Sequence, residues 1–256
     1  MSILDRFRID GRVALVTGGA RGLGRVMAEA LASAGASVAL SARDPDQAAS
    51  AAEGVSRTTG VKTLGVSADV TKQSEVAAMV ARTLDTFGRL DILVNNAGLN
   101  VRGPIEQLSE EDWDLVLDTN LKGPWLCCRA AAEAMRREGW GRVVNVSSML
   151  SEISLPGRTP YASSKGGLTL LTKTLALEWA TAGINVNALC PGPFATEINT
   201  ALLNDPVARA TMQAKIPLGR WGDPAELGPA VVFLASEASS FMTGATLFID
   251  GGYTAQ

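Results

Sequence analysis

The sequence contains no histidine, and this absence excludes several kinds of active site. A Ser-His-Asp triad, a histidine general base and a histidine-ligated zinc ion all require an imidazole ring. Proton transfer in this chain must therefore use tyrosine, lysine, aspartate, glutamate or cysteine. Tyrosine is itself rare, because the 256 residues include only Tyr161 and Tyr253.

Other absences limit the cellular compartment in which we expect the protein and the classes of partner that it could bind. The three cysteines, Cys127, Cys128 and Cys190, form no CxxC pair and no even set for a disulfide framework. Because the chain also lacks a signal-like start, we expect a reduced, cytoplasmic protein. No apolar run approaches the roughly 20 residues of a membrane span. The net charge of −3 offers no basic patch for nucleic acid. We therefore expect neither a membrane nor a nucleic-acid partner, and no metal site.

Short β-branched runs alternate with longer, alanine-rich segments along the whole chain. The runs are apolar without the polar alternation of a half-exposed strand, which is typical of a parallel sheet covered by helices on both faces. The pattern predicts one α/β domain over residues 1–256. The predicted strands are 12–18, 37–42, 62–70, 91–98, 141–148, 183–192 and 246–252.

A glycine-rich segment, TGGARGLG, joins the first predicted strand to the first predicted helix. It places Gly18, Gly22 and Gly24 where the backbone can approach a pyrophosphate, whose charge would then face the helix N-terminus. The spacing is GxxxGxG rather than the more common GxGxxG. A tight strand-to-helix corner would also require glycine, but the position in the chain favours dinucleotide binding.

The end of the second strand bears on the choice of dinucleotide. An NAD site usually has a carboxylate there for the ribose 2′-hydroxyl, whereas this chain has Ala42 followed by Arg43. An arginine can bind a 2′-phosphate through two parallel hydrogen bonds, and Arg21 could add a second positive charge. The pattern favours NADP(H). NAD(H) is the alternative if both arginines are simply solvated, or if the strand ends two residues later, at Asp44.

The stretches VNVSS and YASSK contain the candidates for proton transfer. Tyr161 and Lys165 lie one turn apart on the same face if a helix begins near the tyrosine. A free tyrosine has a pKa of about 10, and we expect the neighbouring ammonium to lower it. The phenol could then exchange a proton with an alcohol or a ketone while a serine from the fifth strand binds the same oxygen. A packed tyrosine with a surface lysine is the alternative, but it leaves the serine pair and the glycine turn unexplained.

An ordered set of motifs resembles the short-chain dehydrogenase/reductase family over about residues 8–253. The motifs are TGGARGLG, NNAG, DTNLKG, SS…YASSK, PGPFAT and FIDGGY. The resemblance implies a Rossmann-like, doubly wound α/β/α fold with a seven-stranded parallel sheet, a homotetramer, and NAD(H) or NADP(H) as cofactor. It also implies a catalytic tetrad in which Asn120 holds a water that links the lysine to solvent. The tetrad residues are Asn120, Ser148, Tyr161 and Lys165, with Ser148 preferred to Ser147 by the family spacing.

The resemblance also implies the cofactor contacts and a substrate lid at about 193–220. Asp69 and Val70 match residues that contact the adenine, and Thr196 matches the contact to the nicotinamide carboxamide. Together with the glycine turn and the NNAG motif at the end of the fourth strand, the expected cofactor contacts are Gly18, Arg21, Gly22, Leu23, Gly24, Arg43, Asp69, Val70, Asn96, Ala97, Gly98, Tyr161, Lys165, Pro191, Gly192 and Thr196.

Within the family, three stretches look most similar to gluconate 5-dehydrogenases: GLNVRGP, SSMLSE and the segment that begins TEINTALL. This similarity implies interconversion of D-gluconate and 5-ketogluconate. Arg102 could bind a sugar-acid carboxylate through two hydrogen bonds, unless it is an ordinary surface arginine. Glu152 could accept hydrogen bonds from sugar hydroxyls, and Leu150 lies in the same loop as a further substrate contact.

Other functions stay open. Leu150, Ile153 and Leu155 make the substrate loop apolar, which suits a general ketone or steroid reductase. A 3-oxoacyl-[acyl-carrier-protein] reductase would use the same tetrad, but Gly139 and Ala182 stand where such reductases present basic residues. A non-catalytic, NADP-sensing scaffold would be expected to have lost the tyrosine or the lysine.

The helix predicted after the YASSK motif carries more leucine than one buried stripe can hold. A surplus apolar face suggests burial against another subunit, although a helix sandwiched within the fold would have the same composition. We expect a homotetramer. The leucines are Leu168, Leu170, Leu171, Leu175 and Leu177.

Overall fold

The computed structural model describes residues 2–196 and 199–255. Seven strands in these residues form one parallel sheet in the order β3-β2-β1-β4-β5-β6-β7. The predicted seven-stranded parallel sheet is confirmed. Several strands end up to three residues earlier than predicted, because those residues leave the sheet as loops. The strands are β1 Val13–Val16, β2 Ser37–Ala42, β3 Thr63–Ser67, β4 Ile92–Asn95, β5 Gly141–Val146, β6 Ile184–Pro191 and β7 Thr246–Ile249.

Helices connect the strands and cover both faces of the sheet. The α-helices of the described residues are α1 Gly22–Ser33, α2 Pro45–Thr59, α3 Gln73–Phe87, α4 Glu110–Leu117, α5 Gly123–Glu138, α6 Thr159–Trp179, α7 Thr200–Asn204, α8 Pro206–Gln213 and α9 Leu227–Ala235. A π-helical segment, Asp118–Lys122, joins α4 to α5. The predicted three-layer, doubly wound architecture is therefore confirmed.

Two apolar clusters, one on each face of the sheet, explain why the strands are apolar throughout. Val16 and Val94 pack with α1, α2 and α9 on one face. Their neighbours Leu15 and Leu93 pack with α3, α5 and α6 on the other. Because both faces are dry, neither set of alternating residues can be polar.

The order of the strands reverses between β1 and β4, and this reversal positions the site. The chain winds outwards from β1 through β2 to β3, then returns to place β4 on the other side of β1. The loops that follow β1 and β4 consequently diverge and leave a crevice at the carboxyl ends of the strands.

The opposite, amino edge of the sheet carries a closed network of charges. Asp91 is fully buried just before β4, where its carboxylate accepts hydrogen bonds from the backbone N–H of Val13 at 2.9 Å and from Arg12 at 3.0 Å. Arg89 forms an ion pair with the same carboxylate at 2.6 Å. Each oxygen of Asp91 therefore has a partner, as a buried charge requires.

An indole ring extends this amino-edge network. The guanidinium carbons of Arg12 and Arg142 lie 3.7 and 4.3 Å from the ring centroid of Trp140. Glu237 accepts hydrogen bonds from the indole N–H at 2.6 Å and from Arg142 at 3.3 Å. Arginines at this edge are thus either paired with carboxylates or stacked on an aromatic ring.

The single-domain organisation over residues 1–256 stays a prediction. The expected lid at 193–220 contains α7 and α8, but residues 197–198 within it lie outside the described residues, as do residues 1 and 256. Among the helices that the structure does describe, none combines the length and the apolar character needed to cross a bilayer.

Candidate active site

A cleft of about 810 Å³ runs along the carboxyl ends of the strands. Every residue that the sequence predicts as a cofactor contact lines it, from Gly18 in the glycine turn to Thr196 after β6. Of the predicted catalytic and substrate residues, Ser148, Arg102 and Leu150 line the cleft as well, whereas Asn120 and Glu152 do not. The fold thus brings most of the predicted site to one place.

The glycine turn has a shape that depends on its glycines, as Gly18 and Gly24 illustrate. Gly18 adopts a left-handed backbone with a φ of +61°, a region that other residues rarely occupy. A Cβ atom on Gly24 would collide with the carbonyl of Gly18 and the side-chain amide of Asn96. These close contacts leave the N-terminus of α1 open to the cleft, where its unpaired N–H groups suit an anion.

The NNAG loop braces the glycine turn as well as lining the cleft. The side-chain amide of Asn96 donates to the carbonyls of Thr17 and Gly18 at 2.9 and 3.0 Å. The Thr17 hydroxyl in turn accepts from the backbone N–H groups of Asn96 and Ala97 at 3.0 and 3.1 Å. The amide of Asn96 therefore has a bracing role in addition to the flanking role that the sequence predicted.

The end of β2 distinguishes between the two alternatives for the adenosine end. The strand ends at Ala42 as predicted, and Arg43 lines the cleft. Asp44 lines the cleft as well, and it caps α2: its carboxylate accepts from the backbone N–H of Asp46 at 2.9 Å and from the Gln47 side chain at 3.0 Å. A role for Asp44 as the ribose-binding carboxylate required the strand to end two residues later, at Asp44. Because the strand ends at Ala42, that requirement is not met.

Ser148 and Tyr161 are brought together as the sequence predicts. Tyr161 lies in the first turn of α6 and lines the cleft together with Ser148, whose hydroxyl is close enough to lower the pKa of the phenol. Ser147 is oriented differently, because its hydroxyl donates to the backbone carbonyl of Lys165 at 3.0 Å. The structure therefore supports the choice of Ser148 over Ser147 as the serine that faces the tyrosine.

Lys165 is buried one turn after Tyr161. Its ammonium donates to the backbone carbonyl of Val146 at 2.7 Å and lies 5.6 Å from the centroid of the Tyr161 ring. Burial lowers the pKa of Lys165 to about 8, and the neighbouring Cys190 opposes that shift. The lysine therefore titrates much closer to neutral pH than an exposed lysine does.

The pKa of Tyr161 shifts in the direction opposite to our prediction. Burial is the largest cause and raises this pKa, because a phenolate is poorly solvated inside the cleft. The nearby Ser148 hydroxyl and the positive charges of Arg102 and Arg158 lower the pKa, but they offset the effect of burial only in part. The expectation that the Lys165 ammonium lowers it was wrong, since burial outweighs the nearby positive charges.

Asn120 holds the loop after β4 rather than facing the cleft. It lies in the π-helical segment and is fully buried. Its amide donates to the Leu99 carbonyl at 2.8 Å and to the Ser164 hydroxyl at 3.1 Å, and its oxygen accepts from the Leu99 N–H at 2.9 Å. These bonds fix the loop that leads to Arg102. The water that Asn120 is expected to hold stays a prediction.

The substrate end of the cleft departs most from the prediction. Glu152 is exposed and is not brought to the cleft. Arg158, Asn100 and Trp221 line the cleft but were missed. Arg158 could have been found from its place three residues before the tyrosine, whereas nothing in the sequence marks the other two. In the part of the chain that the structure describes, the Asn100 side-chain oxygen and the Trp221 indole N–H are buried without a hydrogen-bond partner.

Known proteins resemble this chain over almost its whole length. A family model described as enoyl-(acyl carrier protein) reductase matches residues 18–254. Gluconate 5-dehydrogenase from Gluconobacter oxydans (strain 621H) is 41% identical over 254 residues, which cover 99% of this chain and 99% of the relative. The 3beta-hydroxysteroid dehydrogenase 1 of Eggerthella lenta is 40% identical over 247 residues, 96% of this chain and 95% of the relative.

A solved structure agrees with the described fold. The gluconate 5-dehydrogenase from Burkholderia cenocepacia J2315, in complex with NADP and tartrate, superposes with a TM-score of 0.96 at 40% identity. The superposition covers 100% of both chains. Similarity over the whole length in both sequence and structure leaves no part of the fold without a counterpart.

Proposed function

The chain belongs to the short-chain dehydrogenase/reductase family, and from this premise we propose that it interconverts a secondary alcohol and a ketone by hydride transfer with NADP(H). One observation carries the proposal. Ser148 and Tyr161 line the same cleft as the glycine turn. A proton donor and a dinucleotide-binding turn in one cleft are the two parts that carbonyl reduction requires.

The chain's own residues supply the proton chemistry of the proposed reaction. The cofactor, when bound, supplies or accepts the hydride. Tyr161 would donate a proton to the ketone oxygen, or accept one from the alcohol, while Ser148 hydrogen bonds the same oxygen. Because burial raises the pKa of Tyr161, the phenol keeps its proton at neutral pH and favours the donating direction. Oxidation of the alcohol should accelerate as the pH rises.

The residues around the adenosine end fit NADP(H). Arg43 and Arg21 line the cleft, and neither forms an ion pair with a carboxylate in the described chain. Both are therefore free to bind a 2′-phosphate. Asp44 also lines the cleft, but its carboxylate accepts hydrogen bonds as the cap of α2, which leaves less acceptor capacity for the ribose hydroxyls of NAD(H). The related Burkholderia enzyme holds NADP. In this proposal Asp69 and Val70 contact the adenine and Thr196 the carboxamide.

The proposed substrate is a sugar acid, with D-gluconate and 5-ketogluconate as the specific pair. Two relatives of about 40% identity are gluconate 5-dehydrogenases. Arg102 lines the cleft, and its positive charge is one of the causes that lower the pKa of Tyr161. A carboxylate is the natural partner of such an arginine.

An apolar ketone is the second candidate. Leu150 and Leu155 line the cleft, and they belong to an apolar cluster with Met149 and Tyr253 that packs beside Tyr161. The similarity to a hydroxysteroid dehydrogenase points the same way. This cluster also accounts for the second tyrosine of the chain, since Tyr253 is buried in it and has a packing role.

We also propose a homotetramer in the cytoplasm. Leu168 and Leu175 of α6 are buried, but Leu170 and Leu177 are 65% and 83% exposed. The last two are seven residues apart and share a helix face, so burying them would require another subunit. The cytoplasmic assignment rests on Cys127, Cys128 and Cys190, which are buried free thiols of the kind expected in a reducing compartment.

The proposal is tested by nicotinamide reduction, with D-gluconate offered beside NADP and, separately, beside NAD. Turnover with NADP would support both the sugar acid and the role of Arg43. Turnover with NAD alone would retain the substrate and overturn the cofactor preference. If neither cofactor is reduced, a panel of steroid and aliphatic ketones is offered with NADPH. Turnover of these ketones would favour the second candidate. Absence of turnover would count against activity on both sugar acids and apolar ketones.

A further inference from the structure

Two arginines from different loops lie at the substrate end of the cleft. Arg102 follows β4, and Arg158 directly precedes α6; both line the cleft. Both positive charges lower the pKa of Tyr161. Burial is the largest cause that lowers the pKa of Arg158, and the charge of Arg102 is the next. Both arginines therefore line the cleft that also contains the proposed proton donor.

One backbone carbonyl joins the two loops. The oxygen of Gly157 accepts a hydrogen bond from the backbone N–H of Gly103 at 3.3 Å and another from the Arg158 guanidinium at 3.1 Å. This bond is the only one formed by the Arg158 side chain in the described residues, so most of its five N–H donors are left for a ligand. The single bond holds the Arg158 guanidinium in place while its other N–H groups stay available.

Neither arginine has a counter-charge. Among the described residues, no carboxylate lies within ion-pair distance of Arg102 or Arg158. Two neighbouring cations repel each other, and Arg158 is partly removed from water as well. An oxyanion bound between them would relieve both costs. The arrangement therefore favours a negatively charged ligand over a neutral one.

Besides the Ser41 hydroxyl near the end of β2, two unsatisfied polar side chains line the same cleft. The Asn100 side-chain oxygen is a buried acceptor and the Trp221 indole N–H is a buried donor, each without a partner in the described chain. Buried polar groups of this kind are usually hydrogen bonded. A hydroxyl group can donate to the first and accept from the second. A polyhydroxy compound would satisfy both atoms, whereas an apolar ketone would satisfy neither.

We propose that Arg102 and Arg158 together bind the carboxylate of an open-chain polyhydroxy acid, whose hydroxyls bind Asn100 and Trp221. This inference rests on the proposed function and goes further, because it makes negative charge the basis of selection. It also assigns Arg158, which was not among the residues predicted from the sequence, as a substrate-binding residue. The enzyme then prefers a sugar acid to the neutral polyol with the same carbon skeleton.

The test compares D-gluconate with D-glucitol, which has a hydroxymethyl group in place of the carboxylate. We expect wild-type kcat/KM to be higher for gluconate. Arg158→Met should lower kcat/KM for gluconate about 10- to 100-fold, mainly through KM, because a hydrogen bond to a charged group is lost. The loss for glucitol should be much smaller. For Arg158→Lys we expect a kcat/KM for gluconate between those of the wild type and of Arg158→Met, because lysine keeps the charge but not the planar fork.

A control variant isolates the effect of position. Arg82 is an exposed arginine of α3, away from the cleft and without an ion pair in the described residues. Arg82→Met should keep the wild-type ratio of gluconate to glucitol. Arg158 makes no side-chain helix cap, and thermal unfolding of each variant establishes that the fold is retained.

Calorimetric titration with tartrate, in the presence of NADP, separates this inference from the proposed function. Weaker tartrate binding by Arg158→Met would support the two-arginine site even if wild-type protein does not oxidise gluconate, in which case only the proposed function fails. Turnover of gluconate with equal losses for both substrates in Arg158→Met would overturn the two-arginine site alone. Absence of tartrate and gluconate binding by wild-type protein would overturn it as well.

Discussion

The two edges of the sheet use arginine in opposite ways. At the amino edge, Arg12 and Arg89 share the buried carboxylate of Asp91, and Arg142 binds Glu237. At the carboxyl edge, Arg102 and Arg158 line the cleft, and no carboxylate of the described chain is paired with either. One sheet therefore carries satisfied charges at one end and unsatisfied charges at the other.

The difference separates charges that hold the fold from charges that bind a ligand. A buried carboxylate with three partners is costly to disturb, because removing one member leaves the others unpaired. An unpaired cation in a cleft contributes nothing to stability and can even oppose it. Substitutions at the amino edge should therefore affect stability, and substitutions at the carboxyl edge should affect catalysis or binding.

The largest effect is expected at the carboxyl edge, from Tyr161→Phe. Loss of the phenol removes the proton donor, so kcat should fall by about 10²- to 10⁴-fold. Binding of NADP should persist, because the glycine turn and Arg43 are untouched. Steady-state kinetics and NADP titration by fluorescence measure the two quantities. Unchanged turnover would show that another group transfers the proton.

Asp91→Ala should produce the matching effect at the amino edge. The substitution leaves Arg12, Arg89 and the N–H of Val13 without their shared acceptor. We expect the free energy of unfolding in urea to fall by about 3–5 kcal/mol, while kcat per folded molecule stays close to wild type. A loss of turnover at full stability would remove the distinction between the two edges.

At the carboxyl edge, the buried Lys165 should make the stability of the protein depend on pH. Burial lowers the pKa of Lys165 from 10.5 to about 8, so between these values the unfolded chain binds more protons than the folded chain. Stability should therefore rise with pH across this window, by about 3 kcal/mol from this group. Lys165→Met should lack that part of the rise and should unfold no more easily than wild type at pH 7. Urea unfolding of both proteins at several pH values measures the difference, and parallel pH curves would contradict it.

The smallest effect is expected from Arg43→Ala. Loss of the cation should raise KM for NADP by about 10- to 100-fold, as expected for a hydrogen bond to a charged group, with a much smaller change for NAD. Arg57, an exposed arginine at the end of the same helix that Asp44 caps, supplies the control: Arg57→Ala should leave both KM values unchanged. Equal changes for the two cofactors would assign Arg43 a role other than phosphate binding.

Local patterns were sufficient to predict the fold and the cofactor end of the cleft. The seven strands and the glycine turn are each written in a few consecutive residues, and parallel strands necessarily bring their carboxyl ends to one edge. Gly18, Arg43 and Ser148 were therefore predicted at the cleft, and the structure places them there. The helix α2 begins with a proline after a capping aspartate, a signal that was also readable in advance.

The substrate end was less predictable because it depends on contacts between distant loops. Arg102 and Arg158 lie 56 positions apart in the sequence, and a hydrogen bond between Gly103 and Gly157 joins their loops at the cleft. Glu152 lies close to Ser148 in sequence but is exposed. The pKa of Tyr161 was mispredicted for a related reason: sequence spacing reveals the lysine one turn away, but not the burial that is the largest cause of the shift.

The amino-acid sequence alone determined the order of the elements, the glycine turn and the residue types available for proton transfer, because each of these is set by neighbours along the chain. The tertiary structure decided which charges are paired, which hydroxyl of the serine pair meets Tyr161, and how far burial shifts the pKa of Tyr161 and Lys165. Those properties depend on solvation and on distances across the fold, and a linear sequence specifies neither until the chain has folded.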